Sequence, residues 1–305
     1  SLGRVTTILK ANEEDMTSCT FHPEDGIKGK IAFENVCFQY EENQPVLEDV
    51  SFSCEAGEVI ALLGSTGSGK TSLVNLLPRF YEVTSGQILL DGVNLNEYSL
   101  EFLRSQIGIV EQEPFLFSTS IRENITYGVH REVSEEEILE AAREAAIHDV
   151  ILEFKDGYDT KVGERGVTLS GGQKQRLAIA RTLLINPRIL IMDDCTSAVD
   201  METEHVIQQA LDKVQKNRTT FIIAHRVSSV RKADEILMLE NGRIVERGNH
   251  QELMSQGGLY YEMVNQQYKD LDNLDWNEIS RLNAELEENS AKESYFQAKR
   301  KEKVN

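Results

Sequence analysis

Gly64-Ser65-Thr66-Gly67-Ser68-Gly69-Lys70-Thr71 is the stretch on which the fold of this chain turns. Just before it, Val59-Ile60-Ala61-Leu62-Leu63 is a short apolar run, the pattern of a parallel strand buried on both faces. Just after it, Ser72-Leu73-Val74-Asn75-Leu76-Leu77 reads as a helix that ends near Pro78. Strand, glycine-rich loop, Lys-Thr and helix together make a phosphate cradle. Glycines allow backbone N–H groups to turn inward around an anion, and the helix N-terminus behind them adds partial positive charge. Lys70 has the reach for the β- and γ-phosphates of a nucleotide, and the Thr71 hydroxyl is a hard oxygen ligand for Mg²⁺. Ser65, Thr66, Ser68 and Ser72 complete the predicted nucleotide-contacting set with Gly64, Gly67 and Gly69.

Composition narrows the remaining possibilities. With 305 residues, 40% hydrophobic and 27% charged, the chain is expected to be a soluble globular protein with a sizeable core. A net charge of -19 argues against a nucleic-acid partner held through its phosphates. Cys19, Cys37, Cys54 and Cys195 are scattered with no C-x-x-C pair, which points to a reducing compartment and gives a metal site no support. No run approaches the roughly 18 apolar residues of a membrane span, and no signal peptide is visible. The opening residue is Ser1 rather than Met, so a piece of a longer polypeptide is expected.

Along the chain, Leu2, Val5, Ile8 and Leu9 recur at helical spacing, and residues 11–29 are polar with Pro23 and Gly26, the composition of a linker. Ile31-Ala32-Phe33, Val36-Cys37-Phe38, Val50 to Cys54 and Ile88-Leu89-Leu90 alternate as strands, the last before a turn at Asp91-Gly92. Residues 99–108 read as helix and Ile109-Val110 as strand. From Ile121 to Phe154 the pattern is mostly helical, with a capping box at Ser134 and Glu137. Ile189 to Met192 and Thr220 to Ile223 are further buried strands separated by helix, which indicates a mostly parallel α/β sheet. A hairpin turns at Asn241-Gly242, and a short helix follows Asn249. Residues 269–305 place acids before bases with Ile279, Leu282 and Leu286 at helical spacing, so both a solvated helix and a docking helix are open.

The second anchor is Leu169-Ser170-Gly171-Gly172-Gln173. Ser170 and Gln173 form a capping box that starts an apolar-periodic helix, and the two glycines in its first turn are expected to expose N–H groups beside a serine hydroxyl. With this segment added, residues 30–268 resemble the ATP-binding cassette of ABC transporters, with Gly64–Thr71 matching Walker A and Leu169–Gln173 the signature. The resemblance implies a P-loop NTPase core carrying an antiparallel β subdomain and an α-helical signature subdomain. Residues 1–29 then form a linker that continues a last transmembrane helix, and residues 269–305 a C-terminal helical extension. It also implies ATP and Mg²⁺ as cofactors. Tyr40 matches the aromatic that stacks on adenine, and Gln112 the glutamine that contacts Mg²⁺ and the attacking water. Asp193 matches the Walker B carboxylate at the metal, Asp200 the D-loop, and His225 the switch histidine near the γ-phosphate. Thr71, Gln112 and Asp193 are the implied metal ligands.

Cassettes of this family close head to tail on two shared ATP sites, so the resemblance implies a second cassette as partner. Val162-Gly163-Glu164-Arg165-Gly166 resembles the X-loop of exporters, and Glu113-Pro114-Phe115-Leu116-Phe117 would line the groove that receives coupling helices of a transmembrane domain. The implied location is the cytoplasmic face of the cell membrane, tethered through a domain outside this chain. One departure matters for mechanism. Where the family places a glutamate as general base, this chain has Asp194. Aspartate withdraws its carboxylate by roughly 1.5 Å, and errors of about 1 Å cost around 10²-fold in rate. The expectation is a site that binds ATP and hydrolyses it poorly, in a heterodimeric bacterial multidrug or lipid exporter whose other chain keeps the glutamate. The rivals are a homodimeric exporter and a soluble ABC-type ATPase in regulation or DNA repair.

Overall fold

The computed structural model describes residues 19–129, 131–163, 167–193, 201–224 and 227–272, with backbone alone at 201–205, 228 and 268–272. Ten strands form among them: β1 (Ile31–Gln39), β2 (Pro45–Cys54), β3 (Val59–Leu63), β4 (Ser85–Leu90), β5 (Val93–Asn94), β6 (Ile107–Val110), β7 (Ile189–Asp193), β8 (Thr219–Ile223), β9 (Glu235–Glu240) and β10 (Arg243–Gly248). The helices are α1 (Lys70–Asn75), α2 (Leu100–Ser105), α3 (Ile121–Thr126), α4 (Glu135–Glu144), α5 (His148–Glu153), α6 (Gly171–Ile185), α7 (Met201–Gln215), α8 (Val227–Val230), α9 (His250–Gln256) and α10 (Leu259–Asp272).

The alternating segments near the start assemble an antiparallel sheet in the order β2-β1-β4-β5. The two strands read from Ile31–Phe33 and Val36–Phe38 are one continuous strand. Its register against β2 slips between Phe33 and Val36, where Asn35 adopts a left-handed φ of 48°. That extra residue returns Val36 and Phe38 to the face that buries Phe33.

The apolar runs build a second sheet in the order β10-β9-β3-β8-β7-β6. All its neighbours are parallel except β9 and β10, the hairpin around Asn241-Gly242. Parallel strands covered on both faces have no use for polar alternation, which is why Ile189–Met192 of β7 and Phe221–Ile223 of β8 are unbroken apolar runs. The two sheets share one core: Phe33 stacks on Phe52 with centroids 4.6 Å apart, and Phe52 meets Phe221 of the second sheet edge-on at 6.4 Å.

Helix boundaries shift by about a turn from the sequence reading. α1 begins at Lys70 and yields after Asn75 to tighter turns, in which Leu76 and Leu77 donate to the carbonyls of Leu73 and Val74. Pro78 disfavours helical backbone in the residue before it. β6 begins at Ile107, two residues before the expected strand, because the Gln106 N–H closes α2 on Phe102 and Leu103.

Residues 19–29, polar enough to read as linker, are held to the body. The Ser99 N–H donates to the Phe21 carbonyl at 2.9 Å, and the Asp91 carboxylate takes the N–H groups of Lys28, Gly29 and Lys30 at 2.7–3.1 Å. The chain divides into two compact units, residues 1–253 and 254–305; the second contains α10, where Tyr260 and Val264 are buried. Among the described residues no helix is long and apolar enough to cross a membrane.

Candidate nucleotide site

Strand register brings the predicted groups to one edge of the parallel sheet. Leu62 of β3 pairs with Ile223 of β8, and Ile223 pairs with Asp193 of β7. Val110, two residues before Gln112, pairs with Met192. The carboxyl ends of β3, β6 and β7 therefore present Gly64, Gln112 and Asp193 along the same edge, where ligands of open α/β sheets bind.

The loop after β3 is built as a cradle. Gly64 has φ +142°, and a Cβ there would lie 2.1 Å from the Leu239 carbonyl oxygen of β9. Gly67, at φ +82°, has nothing within 4 Å of the position its Cβ would take. The first glycine is thus required by close packing and the second leaves the mouth open. Lys70 is only 5% exposed. Its Nζ donates to the carbonyls of Gly64 at 2.9 Å and Ser65 at 2.8 Å. Burial pushes the Lys70 ammonium below its ordinary pKa, and the charge of Asp193 acts in the opposite direction. A desolvated cation bonded to neutral carbonyls is well placed to gain from an incoming anion. Thr71, Gln112 and Asp193 offer oxygen ligands suited to Mg²⁺ when phosphate oxygens and water complete its shell. Among the described residues no group of three or more His, Cys, Asp or Glu would hold a metal on its own.

Tyr40 stands 51% exposed beside this loop. Its ring is held edge-to-face by Phe38 at 4.7 Å and Tyr81 at 4.9 Å, and its hydroxyl lies 2.9 Å from Ser72 Oγ. A fixed, solvent-facing ring is a platform for a planar base.

The signature residues start α6. Ser170 Oγ accepts from the Gln173 N–H at 3.2 Å, and the Gln173 side chain accepts from the Ser170 N–H at 2.9 Å, the capping box expected from the sequence. Accepting that bond leaves the hydroxyl proton able to donate to an anion. Of the two glycines in this first turn, Gly171 is exposed and Gly172 is buried. Asp194, Asp200 and His225 lie outside the described residues, as do Ser1 to Lys10 and Glu164 to Gly166 of the predicted X-loop.

Beyond Gln112, a cavity of about 240 Å³ opens between Pro114, Phe115 and Leu116 on one side and Val162, Val167 and Leu169 on the other. Phe115 is 65% exposed at its rim. The wall is braced by two residues that sequence reading passed over. Asn124 is fully buried; its side chain accepts from the Phe117 N–H at 2.9 Å and donates to the carbonyls of Phe117 and Ser120, both at 3.0 Å. Arg181 donates to the Asn124 carbonyl at 2.8 Å, and burial lowers its pKa. A signal for Asn124 existed in its placement on the apolar face of α3, between Ile121 and Ile125.

Comparison with known proteins agrees with this geometry. The sequence profile of the ABC transporter family matches residues 47–197. The chain is 52% identical over 273 residues to the uncharacterized ABC transporter ATP-binding protein YknU of Bacillus subtilis (strain 168), covering 88% of this chain and 46% of that protein. It is 53% identical over 234 residues to a putative multidrug export ATP-binding/permease protein of Staphylococcus aureus (strain NCTC 8325 / PS 47), covering 76% of this chain and 40% of the relative. A bacterial Atm1-family ABC exporter solved with ATP bound superposes with a TM-score of 0.79 at 40% identity, over 88% of this chain and 47% of that one. The chain thus spans less than half the length of these relatives. On the matched domain and these relatives, the chain belongs to the ABC transporter family, whose ATP-binding domains are ATPases.

Proposed function

We propose that this chain is the ATP-driven motor of a membrane exporter, hydrolysing ATP with water to ADP and phosphate. The observation that carries the reading is the buried Lys70 inside the cradle at the carboxyl edge of the sheet. The multidrug-export names of relatives favour an exporter over a soluble regulatory or repair ATPase. In this reading residues 30–268 are the cassette, residues 1–29 lead from a transmembrane domain at the cytoplasmic face of the membrane, and residues 269–305 are an extension.

When bound, Mg²⁺-ATP supplies the triphosphate and the metal that shields its charge. Lys70 and the loop N–H groups hold the β- and γ-phosphates, Tyr40 orients the base, and Thr71, Gln112 and Asp193 face the metal. By the family resemblance, Asp194 would take the proton of the attacking water, His225 would serve as the switch histidine toward the γ-phosphate, and Asp200 would belong to the D-loop. The Asp194 carboxylate, one methylene short, makes this site a tight binder with slow turnover. Ser170, Gly171, Gly172 and Gln173 complete the other ATP site, across a second and non-identical cassette that keeps a glutamate. The groove beside Phe115 receives the coupling helices of the transmembrane domain.

The deciding experiment is the Asp194→Glu exchange in the complete, assembled transporter. Activation of a second site should raise ATP turnover by about twofold or more. Ser170→Ala should remove most hydrolysis although it lies outside this chain's own cradle. Unchanged turnover in the first variant opposes the impaired site; unchanged turnover in the second opposes the shared one. Purification as a dimer of identical chains would replace the heterodimer with a homodimeric exporter.

A further inference from the structure

The loop that carries Gln112 is fastened at both ends by a single helix. Gln175, in the second turn of α6, is only 2% exposed, and its Nε2 donates to the Glu111 carbonyl at 3.1 Å. Further along the same helix Arg181 donates through Nη1 to the Phe115 carbonyl at 3.3 Å. It also donates through Nη2 to the Asn124 side-chain oxygen at 3.1 Å. The two anchors are six residues apart, about 9 Å along the helix axis. Residues 111–115 thus run beside α6 with a side chain holding each end.

An amide as buried as that of Gln175 costs desolvation that an apolar side chain would avoid. Glu111 itself is an exposed residue, so the bond ties a buried side chain to a surface loop. What the bond accomplishes is to set the loop's position relative to the helix. The same helix starts at the Ser170 cap, five residues before Gln175.

We propose that Gln175 is a positioning residue: its bond to the Glu111 carbonyl, with Arg181 as second anchor, joins the Gln112 loop to the helix that begins at Ser170. The two move as one body, so that nucleotide engaging Gln112 in one site sets the position of Ser170 at the other. This rests on the reading that Gln112 attends the bound nucleotide.

The test is Gln175→Met, which keeps the volume and removes the donor, in the complete protein. Amides of residues 111–113 and 115–117 should exchange roughly threefold to tenfold faster, the range expected for one lost hydrogen bond. Turnover at saturating ATP should fall about tenfold or more through misplacement, while the affinity for Mg²⁺-ATP changes less than about twofold. A residue that only supports the fold would lower affinity and turnover together, and that result overturns the proposal. So does unchanged loop exchange. If the Met variant fails to fold, Gln175→Glu serves: its buried carboxyl donates to Glu111 only when protonated, so loop protection should return as pH falls. Protection that ignores pH in that variant refutes the clamp. A parent protein without ATP turnover would defeat the proposed function alone, because loop exchange is read without hydrolysis.

Discussion

Replacing Gly64 and Gly67 by alanine separately distinguishes packing from binding within one loop. Both have positive φ, which costs an L-residue about 1–3 kcal/mol. For Gly67→Ala that is the whole structural cost, because nothing lies within 4 Å of the new Cβ. For Gly64→Ala the Cβ would sit 2.1 Å from the Leu239 carbonyl oxygen, at least about 1 Å too close. Leu239 belongs to β9, which is zipped to β3 at Leu63 and Met238, so relief requires pushing these paired strands away from each other. That backbone shift adds about 1–3 kcal/mol. At about 2–4 °C per kcal/mol for a unit of this size, Gly64→Ala should unfold roughly 4–24 °C below the parent and Gly67→Ala roughly 2–12 °C below. In paired measurements Gly64→Ala should always be the lower. Thermal unfolding with and without Mg²⁺-ATP supplies the second axis. Nucleotide at 100 times its Kd stabilises the parent by about 2.7 kcal/mol. Gly67→Ala, whose methyl enters the mouth of the cradle, should lose more than half of that rise. Equal melting of the two variants would refute the close approach to β9, and a full nucleotide rise in Gly67→Ala would refute the placement of phosphate at that mouth.

Other outcomes follow from single contacts. Asn124→Ala leaves the Phe117 backbone groups and an Arg181 donor without their partner, so urea unfolding should show a loss of about 2–4 kcal/mol. Tyr40→Ala removes the platform and should weaken ATP binding by about 5- to 100-fold. Tyr40→Phe loses only the hydroxyl contact to Ser72 and should stay within about threefold; a fluorescence titration separates them. Glu123 is held down at about 2 by the Thr119 hydroxyl first, then by the Ser120 backbone and hydroxyl. A carboxyl depressed in the folded state stabilises fully above its ordinary value of 4.5, and the gain fades as pH falls toward 2. The stability difference between the parent and Glu123→Gln should therefore shrink from pH 6 to pH 3; a constant difference would show that the capping carboxylate is not the cause.

The cradle and the capping boxes at Ser134 and Ser170 were legible because their physics is local. The cradle is contained in eight consecutive residues and each box needs only two residues three apart; the structure places both boxes as read. Edges of elements were less legible. The bulge at Asn35 joined two expected strands into one, since only the partner strand decides whether an irregular residue ends a ladder or is absorbed by it. The linker reading of residues 19–29 saw polarity but not the Asp91 carboxylate that collects three N–H groups at Lys28, Gly29 and Lys30.

By itself the sequence determined the glycine-rich loop, the apolar strands that frame it and the capped start of α6, all of which are written in neighbouring residues. Tertiary structure alone decided that β3 lies between β8 and β9, that Gly64 and Asp193 share an edge, and that Lys70 is desolvated there. It also decided that α6 grips the Gln112 loop through Gln175 and Arg181, bonds that span 64 and 66 positions of chain. Hydrophobic and turn signals act over a few residues, whereas a bond between distant residues exists only once the sheet has set its strand order and brought them within 3 Å or so of each other.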